Sequence, residues 1–169
     1  LNVAFDYGGR AEILEAVRLG IPVFKRAKAL GQWVNQGRVL AVAGTHGKTT
    51  TTAMAAEILT VAGLDPTGLV GGRVPSWKGN LRRGGELYVV EADEYDRSFL
   101  ELQPTVAIVT SVEADHLDTY GGLEGVAAAF HEFLEALPED GRGIICGDDH
   151  GASRLLPALD RRGYTYGTG

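Results

Sequence analysis

The stretch Val39-Leu40-Ala41-Val42-Ala43-Gly44-Thr45-His46-Gly47-Lys48-Thr49-Thr50 changes character twice. Its opening run, Val39 to Ala43, is wholly apolar, the composition of a strand buried on both faces in a parallel sheet. Two glycines then bracket Thr45 and His46. Beyond them Ala53, Ala56, Ile58, Leu59 and Ala62 follow a helical period that Gly63 closes. A strand that turns through glycines into a helix aims backbone N–H groups and a helix N-terminus at one point, and Lys48 adds a positive charge there. The combination is a cradle for a polyphosphate. Its candidate residues are Gly44, Thr45, His46, Gly47, Lys48, Thr49 and Thr50, with the Thr49 hydroxyl placed for Mg²⁺. The usual G-x-x-x-x-G-K-[ST] pattern asks for glycine where this chain has Val42, so the loop is a tighter G-x-x-G-K-[ST] form. The alternative is a glycine-rich turn with an incidental lysine, which requires strand, Lys-Thr and helix to coincide by chance.

Working outward, the same alternation continues. Short apolar runs at Leu87 to Val90, Val106 to Val109 and Gly143 to Cys146 read as strands, and Leu123 to Leu137 reads as a helix between the last two. A further helix is expected around Ala152 to Arg161, then a short extended piece at Tyr164 to Tyr166. Upstream, Ala11 to Leu19 and Ala27 to Val34 have helical periods, with a short extended piece at Ile21 to Phe24 between them. Gly71 to Gly85, rich in Gly, Arg and Lys, is expected to be a long irregular loop. Arg73, Lys78, Arg82 and Arg83 there could hold an anion or simply be solvated. This rhythm predicts an α/β fold, a mostly parallel sheet flanked by helices with right-handed crossovers.

Composition narrows the partners. The chain has 169 residues, enough for one ordinary domain, and 44% of them are apolar, too many for disorder. A net charge of -6 argues against a broad nucleic-acid footprint, so phosphate chemistry must be local. No apolar run nears the ~20 residues that span a bilayer, and no basic-then-apolar leader opens the chain, so a cytoplasmic protein without a membrane partner is expected. The lone Cys146 follows Ile144-Ile145 and reads as a small buried hydrophobe. A start at Leu1 suggests a piece of a longer polypeptide.

Carboxylates gather where strands end. Leu87 to Val90 runs into Glu91-Ala92-Asp93-Glu94-Tyr95-Asp96, and ligands of open α/β sheets sit at that edge. Glu91 is best placed to bind Mg²⁺; Glu94 and Asp96 read equally well as a solvated acidic turn. Val106 to Val109 leads to Thr110-Ser111-Val112-Glu113-Ala114-Asp115-His116-Leu117-Asp118, where His116 lies among carboxylates and could bind a divalent ion or orient a phosphate. His131 and His150 have no such company and read as structural. Lys48, Glu91 and His116 are therefore the candidate catalytic residues, and Thr49, Glu91 and His116 the candidate metal ligands.

With the phosphate loop, Glu91 to Phe99 and Val112 to Tyr120 in this order, the chain resembles the Mur ligase family, the ATP-dependent amide-bond ligases of bacterial cell-wall synthesis. The His46-bearing loop and Glu113-Ala114-Asp115-His116-Leu117-Asp118 look most like its alanine-adding branch, which resembles this chain in having no lysine between residues 117 and 141. The resemblance implies ATP and Mg²⁺ as cofactors, with UDP-N-acetylmuramate and L-alanine as substrates joined through an acyl phosphate. A recycling ligase that attaches a tripeptide is the neighbouring possibility, and a non-catalytic nucleotide-binding module a more distant one. The resemblance also places Lys48 on the ATP phosphates, Thr49 and Glu91 on one Mg²⁺, His116 on a second, and Asn80 toward the muramate. It further implies that residues 1–36 are the tail of a UDP-binding N-terminal domain with its linker, that 37–169 are an incomplete central ATP-binding domain, and that a C-terminal domain is absent.

Overall fold

The computed structural model describes residues 10–113 and 120–168. A seven-stranded sheet in the order β3-β2-β4-β1-β5-β6-β7 forms the centre. The strands are β1 Arg38–Ala43, β2 Thr67–Val74, β3 Gly79–Arg82, β4 Leu87–Glu91, β5 Val106–Val109, β6 Arg142–Cys146 and β7 Gly163–Tyr166. Every neighbouring pair is parallel except β2 with β3. Among the helices are α1 Arg10–Arg18, α2 Arg26–Val34, α3 Lys48–Val61, α4 Leu123–Glu135 and α5 His150–Ser153. The expected α/β class and parallel sheet are thus observed. Among the described residues, no helix is long and apolar enough to cross a membrane.

Strand β1 is central because beyond the exposed Arg38 nothing in it needs water. Val39, Ala41, Val42 and Ala43 are each fully buried. Val39, Ala41 and Ala43 join the main core with Tyr88 and Val90 of β4 and Ala107 and Val109 of β5. Val42 and Val89 alternate to the opposite face, the side on which α3 packs. The main core is closed by Phe99, whose ring lies 5.0 Å from Phe133 in a stacked pair and 5.2 Å from Phe130 edge-on. Helix α2 adds Val34 to this core. It approaches so closely that a Cβ on Gly31 would stand 2.4 Å from the Glu101 carbonyl.

Three local expectations are corrected. Gly71 to Gly85 is mostly ordered as the end of β2, a 3-10 turn at Pro75–Trp77, and β3. The Trp77 ring lies against Gly68, where a Cβ would meet it at 2.6 Å, and its indole N–H donates to Glu57 of α3 at 2.7 Å. That anchor turns a glycine-rich segment into a hairpin. Ile21 to Phe24 forms no strand; it is exposed, has no sheet neighbour, and contains Pro22, which has no N–H to give. The expected helix at 152–161 is instead the short α5 followed by a 3-10 segment, Leu156–Arg162, broken at Asp160 with φ 48°.

The chain order places a reversal beside β1. Connections from β1 reach β2 and β4 on one side, and the next strand, β5, crosses to the other. Pairing of Val42 with Glu91 and of Ala43 with Val109 sets the ends of β4 and β5 level with the end of β1. A crevice at such a point is where open α/β sheets bind ligands. The Phe99 cluster ties the segment that follows β4 to α4. Phe99→Ala should lower stability by about 3–5 kcal/mol, the usual consequence of emptying an aromatic core position, read by urea unfolding. A loss under about 1 kcal/mol would show that the cluster does not hold the sheet to α4.

Candidate functional site

Gly44 leaves β1 with φ 134°, and Gly47 caps α3 from the left-handed region with φ 80°. No side chain caps the start of α3. The N–H groups of Lys48, Thr49 and Thr50 belong to the first turn, where a helix has no internal acceptors for them. They face a cleft of about 370 Å³ lined by residues 45–50 and Glu91. An uncapped helix start next to a lysine is favourable ground for an anion.

The loop is held from the side by the exit of β5. Thr45 N–H donates to the Ser111 carbonyl at 2.9 Å and His46 N–H to Ser111 Oγ at 3.0 Å. In return, Thr110 Oγ1 donates to the His46 carbonyl at 2.5 Å and Glu113 N–H donates to Thr45 Oγ1 at 2.9 Å. The His46 ring reaches Glu113 at 3.7 Å, with both side chains largely exposed. Two of the amides expected to face phosphate, those of Thr45 and His46, are therefore committed to Ser111. The remaining cradle amides are concentrated at the start of α3.

Two carboxylates from the end of β4 take different roles. Glu91 Oε2 accepts from Thr49 Oγ1 at 2.8 Å and from the Gly71 N–H at 2.7 Å. The second bond requires β2 to pass close, and glycine permits it: a Cβ on Gly71 would lie 3.2 Å from Glu91 Oε1, and one on Gly72 3.3 Å from Thr49 Cγ2. A hydroxyl and a carboxylate fixed together are hard oxygen donors of the kind Mg²⁺ takes, with its other positions left to water and phosphate. Among the described residues, no group of three or more His, Cys, Asp or Glu side chains gathers to hold a metal unaided. The donor set thus fits an ion shared with a phosphate ligand.

Glu94 is not the solvated acid that its sequence equally allowed. Its side chain is 3% exposed and paired with Lys48, whose own is 15% exposed. Lys48 Nζ lies 3.0 Å from Oε1 and 2.9 Å from Oε2. Only Oε1 has hydrogen-bond geometry, and Oε2 is left without a hydrogen-bond partner among the described residues. Asp96, by contrast, is half-exposed and bridges to Lys25 at 2.6 Å.

Lys48, Thr49 and Glu91 are therefore brought together. Asn80 is an exposed residue of β3 and enters none of these hydrogen bonds among the described residues. Arg82 is structural: it bonds Asp65 at 3.1 Å and the carbonyl of Pro66. His116 lies outside the described residues. Ser111 and Gly71 act on the site through a hydroxyl and an amide, features that no motif spacing in the sequence encodes.

Comparison with known proteins agrees with this fold. The family profile for the Mur ligase middle domain matches residues 42–169. The UDP-N-acetylmuramate--L-alanine ligase of Solibacter usitatus is 50% identical over 159 residues, covering 93% of this chain and 34% of that protein. The enzyme of that name from Bordetella pertussis is 48% identical over 162 residues, covering 95% of this chain and 35% of that protein. Among solved structures, a UDP-N-acetylmuramate-alanine ligase from Thermotoga maritima superposes with TM-score 0.80 at 29% identity, over 97% of this chain and 37% of that one. The UDP-N-acetylmuramate:L-alanyl-gamma-D-glutamyl-meso-diaminopimelate ligase from Neisseria meningitides gives 0.81 at 29% identity, over 99% of this chain and 57% of that one. This chain spans about a third of the length of the curated relatives it matches. A mostly parallel sheet with a clasped glycine loop, matched from the end of β1 onward by the middle-domain profile over residues 42–169, shows that the chain belongs to the Mur ligase family.

Proposed function

We propose that the chain is the nucleotide-binding part of a cytoplasmic ligase that joins L-alanine to the carboxylate of UDP-N-acetylmuramate, a step in peptidoglycan precursor synthesis driven by ATP. The observation that carries the reading is the Thr49–Glu91 hydrogen bond beside Lys48 at the uncapped start of α3. The substrate assignment is supported by the names of relatives about half identical to this chain. On this reading the substrate carboxylate attacks the γ-phosphorus and ADP leaves; the amine then attacks the acyl carbon and expels phosphate. Two anions must meet, so positive charge governs the first step.

The chain's own residues divide the work. Lys48 and the amides of Lys48, Thr49 and Thr50 hold the phosphates, aided by Gly44, Thr45, His46 and Gly47 as the frame of the loop. Thr49 and Glu91 hold Mg²⁺, which when bound offsets phosphate charge. His116 contributes to a second ion, and Asn80 faces the muramate. Residues 1–36 are the tail of a preceding UDP-binding domain and its linker, and 37–169 are part of the central ATP-binding domain. The exposed apolar side chains of α1, Ile13, Leu14 and Val17, are in keeping with a neighbour there. A tripeptide acceptor is the second reading, favoured by the superposition on the Neisseria enzyme. Comparing L-alanine with a tripeptide as acceptor in the full-length enzyme separates the two.

Calorimetric titration with Mg²⁺ and a non-hydrolysable ATP analogue tests the core of the proposal. Saturable binding that needs Mg²⁺ and is lost in Glu91→Gln is expected; binding that is indifferent to both would overturn the metal assignment. Lys48→Ala should also abolish binding, but it strands Glu94 as a buried unpaired charge. Breaking such a pair from one side should lower stability by roughly 3 kcal/mol, or about 6–12 °C in Tm for a chain of this size. The combined Lys48→Met, Glu94→Gln variant removes both charges and should recover most of that loss in a thermal scan.

A further inference from the structure

Glu94 is the one buried carboxylate among the described residues. Its backbone is fixed from two sides, since the Arg97 N–H donates to its carbonyl at 3.0 Å and the Tyr120 hydroxyl donates to the same oxygen. Burial pushes the Tyr120 hydroxyl above its ordinary range, so it remains a proton donor. The Glu94 backbone is thereby held in one place, and its side chain reaches Lys48 from there.

The ammonium of Lys48 has three protons and no acceptor capacity. It meets the Gly44 carbonyl at 2.7 Å, the Thr45 carbonyl at 3.3 Å and Glu94 Oε1 at 3.0 Å. All of its donors are thus directed at the protein, back under the loop. A phosphate entering the cleft can gain Lys48 only if one of these bonds is given up. The two carbonyls belong to the loop that Lys48 must stay with; the carboxylate belongs to the exit of β4 and is the one acceptor that competes with an anion on equal terms of charge.

We propose that Glu94 is a positioning residue for Lys48, an internal anion that keeps the ammonium turned beneath the loop until a nucleotide phosphate replaces it. The proposal rests on the nucleotide-site reading above. It gives Glu94 a part distinct from that of Glu91: Glu91 faces the Thr49 hydroxyl, whereas Glu94 sets where the lysine charge waits. Separating a buried ion pair opposes phosphate binding, so Glu94 weakens nucleotide affinity while sparing the chain an unpaired buried cation. An ion pair that served stability alone would have no such effect on affinity.

Two measurements on the whole chain test this. In the first, no nucleotide is present: lysines are labelled briefly with an amine-reactive ester and read by mass spectrometry, with the exposed Lys78 as internal reference. An ammonium whose donors are all engaged beneath the loop is withheld from the ester and reacts more slowly. Relative to Lys78, labelling of Lys48 should rise about tenfold in Glu94→Gln, the ratio that corresponds to one lost charge-assisted contact of ordinary strength. An unchanged ratio would overturn the proposal. In the second, calorimetry with Mg²⁺ and a non-hydrolysable ATP analogue should give about tenfold tighter binding by Glu94→Gln than by the unaltered chain. If the unaltered chain binds and Glu94→Gln binds equally or more weakly, the role of Glu94 fails while the nucleotide site stands. If the unaltered chain does not bind, the nucleotide reading fails, and labelling alone decides what Glu94 does to Lys48. Should Glu94→Gln not fold, Glu94→Asp withdraws the carboxylate by one methylene and carries both measurements, with smaller gains in the same direction expected and no gain counting against the proposal.

Discussion

Gly44 has no room for a side chain. A Cβ there would stand 2.1 Å from Thr110 Oγ1 and 2.9 Å from the Ser111 nitrogen, and the backbone already has φ 134°, where other residues are strained. This close approach of β1's exit to β5's exit is the constraint on which the site depends. It brings Thr45 and His46 onto Ser111, leaves Gly47 free to turn left-handed, and so fixes where α3 begins. Had the two exits been one side chain further apart, the loop would lose its clasp, and the helix N-terminus would have no defined direction.

The charges at the site are arranged in a narrow space. Two glutamates follow from the exit of the same strand, and they differ by their neighbours. Glu91 is tied to a hydroxyl and an amide and keeps its second oxygen for the cleft; Glu94 is tied to the lysine and faces inward. A chain of net charge -6 has no general attraction for phosphate, so on the proposed reading affinity comes from this local set of N–H groups and one ammonium, with a metal ion when bound.

Much of this was legible in the residues. An apolar run ending in glycines and Lys-Thr leaves few architectures open, and the acid after β4 follows from where its apolar run stops. The hairpin of β2 and β3 was not legible, because its order comes from Trp77 reaching across to Gly68 and Glu57, a tertiary contact that overrides glycine's preference for irregular chain. The burial of Glu94 was equally hidden: in sequence it is one of four acids within six residues, and only the fold shows which faces the lysine. Ser111 carried no signal, since a hydroxyl that accepts a backbone N–H looks like any other serine in a strand exit. The family resemblance was carried by the motifs, whereas the positioning contacts between them required the structure.

The most direct test of the account is a crystal structure of this chain with Mg²⁺ and a non-hydrolysable ATP analogue. A metal ion is expected in contact with Thr49 Oγ1 and a Glu91 oxygen, with phosphates over the first turn of α3 and Lys48 on a phosphate oxygen. A nucleotide seated instead along the β2–β3 hairpin against Arg73 and Lys78, with the cleft at the start of α3 left to solvent, would contradict it.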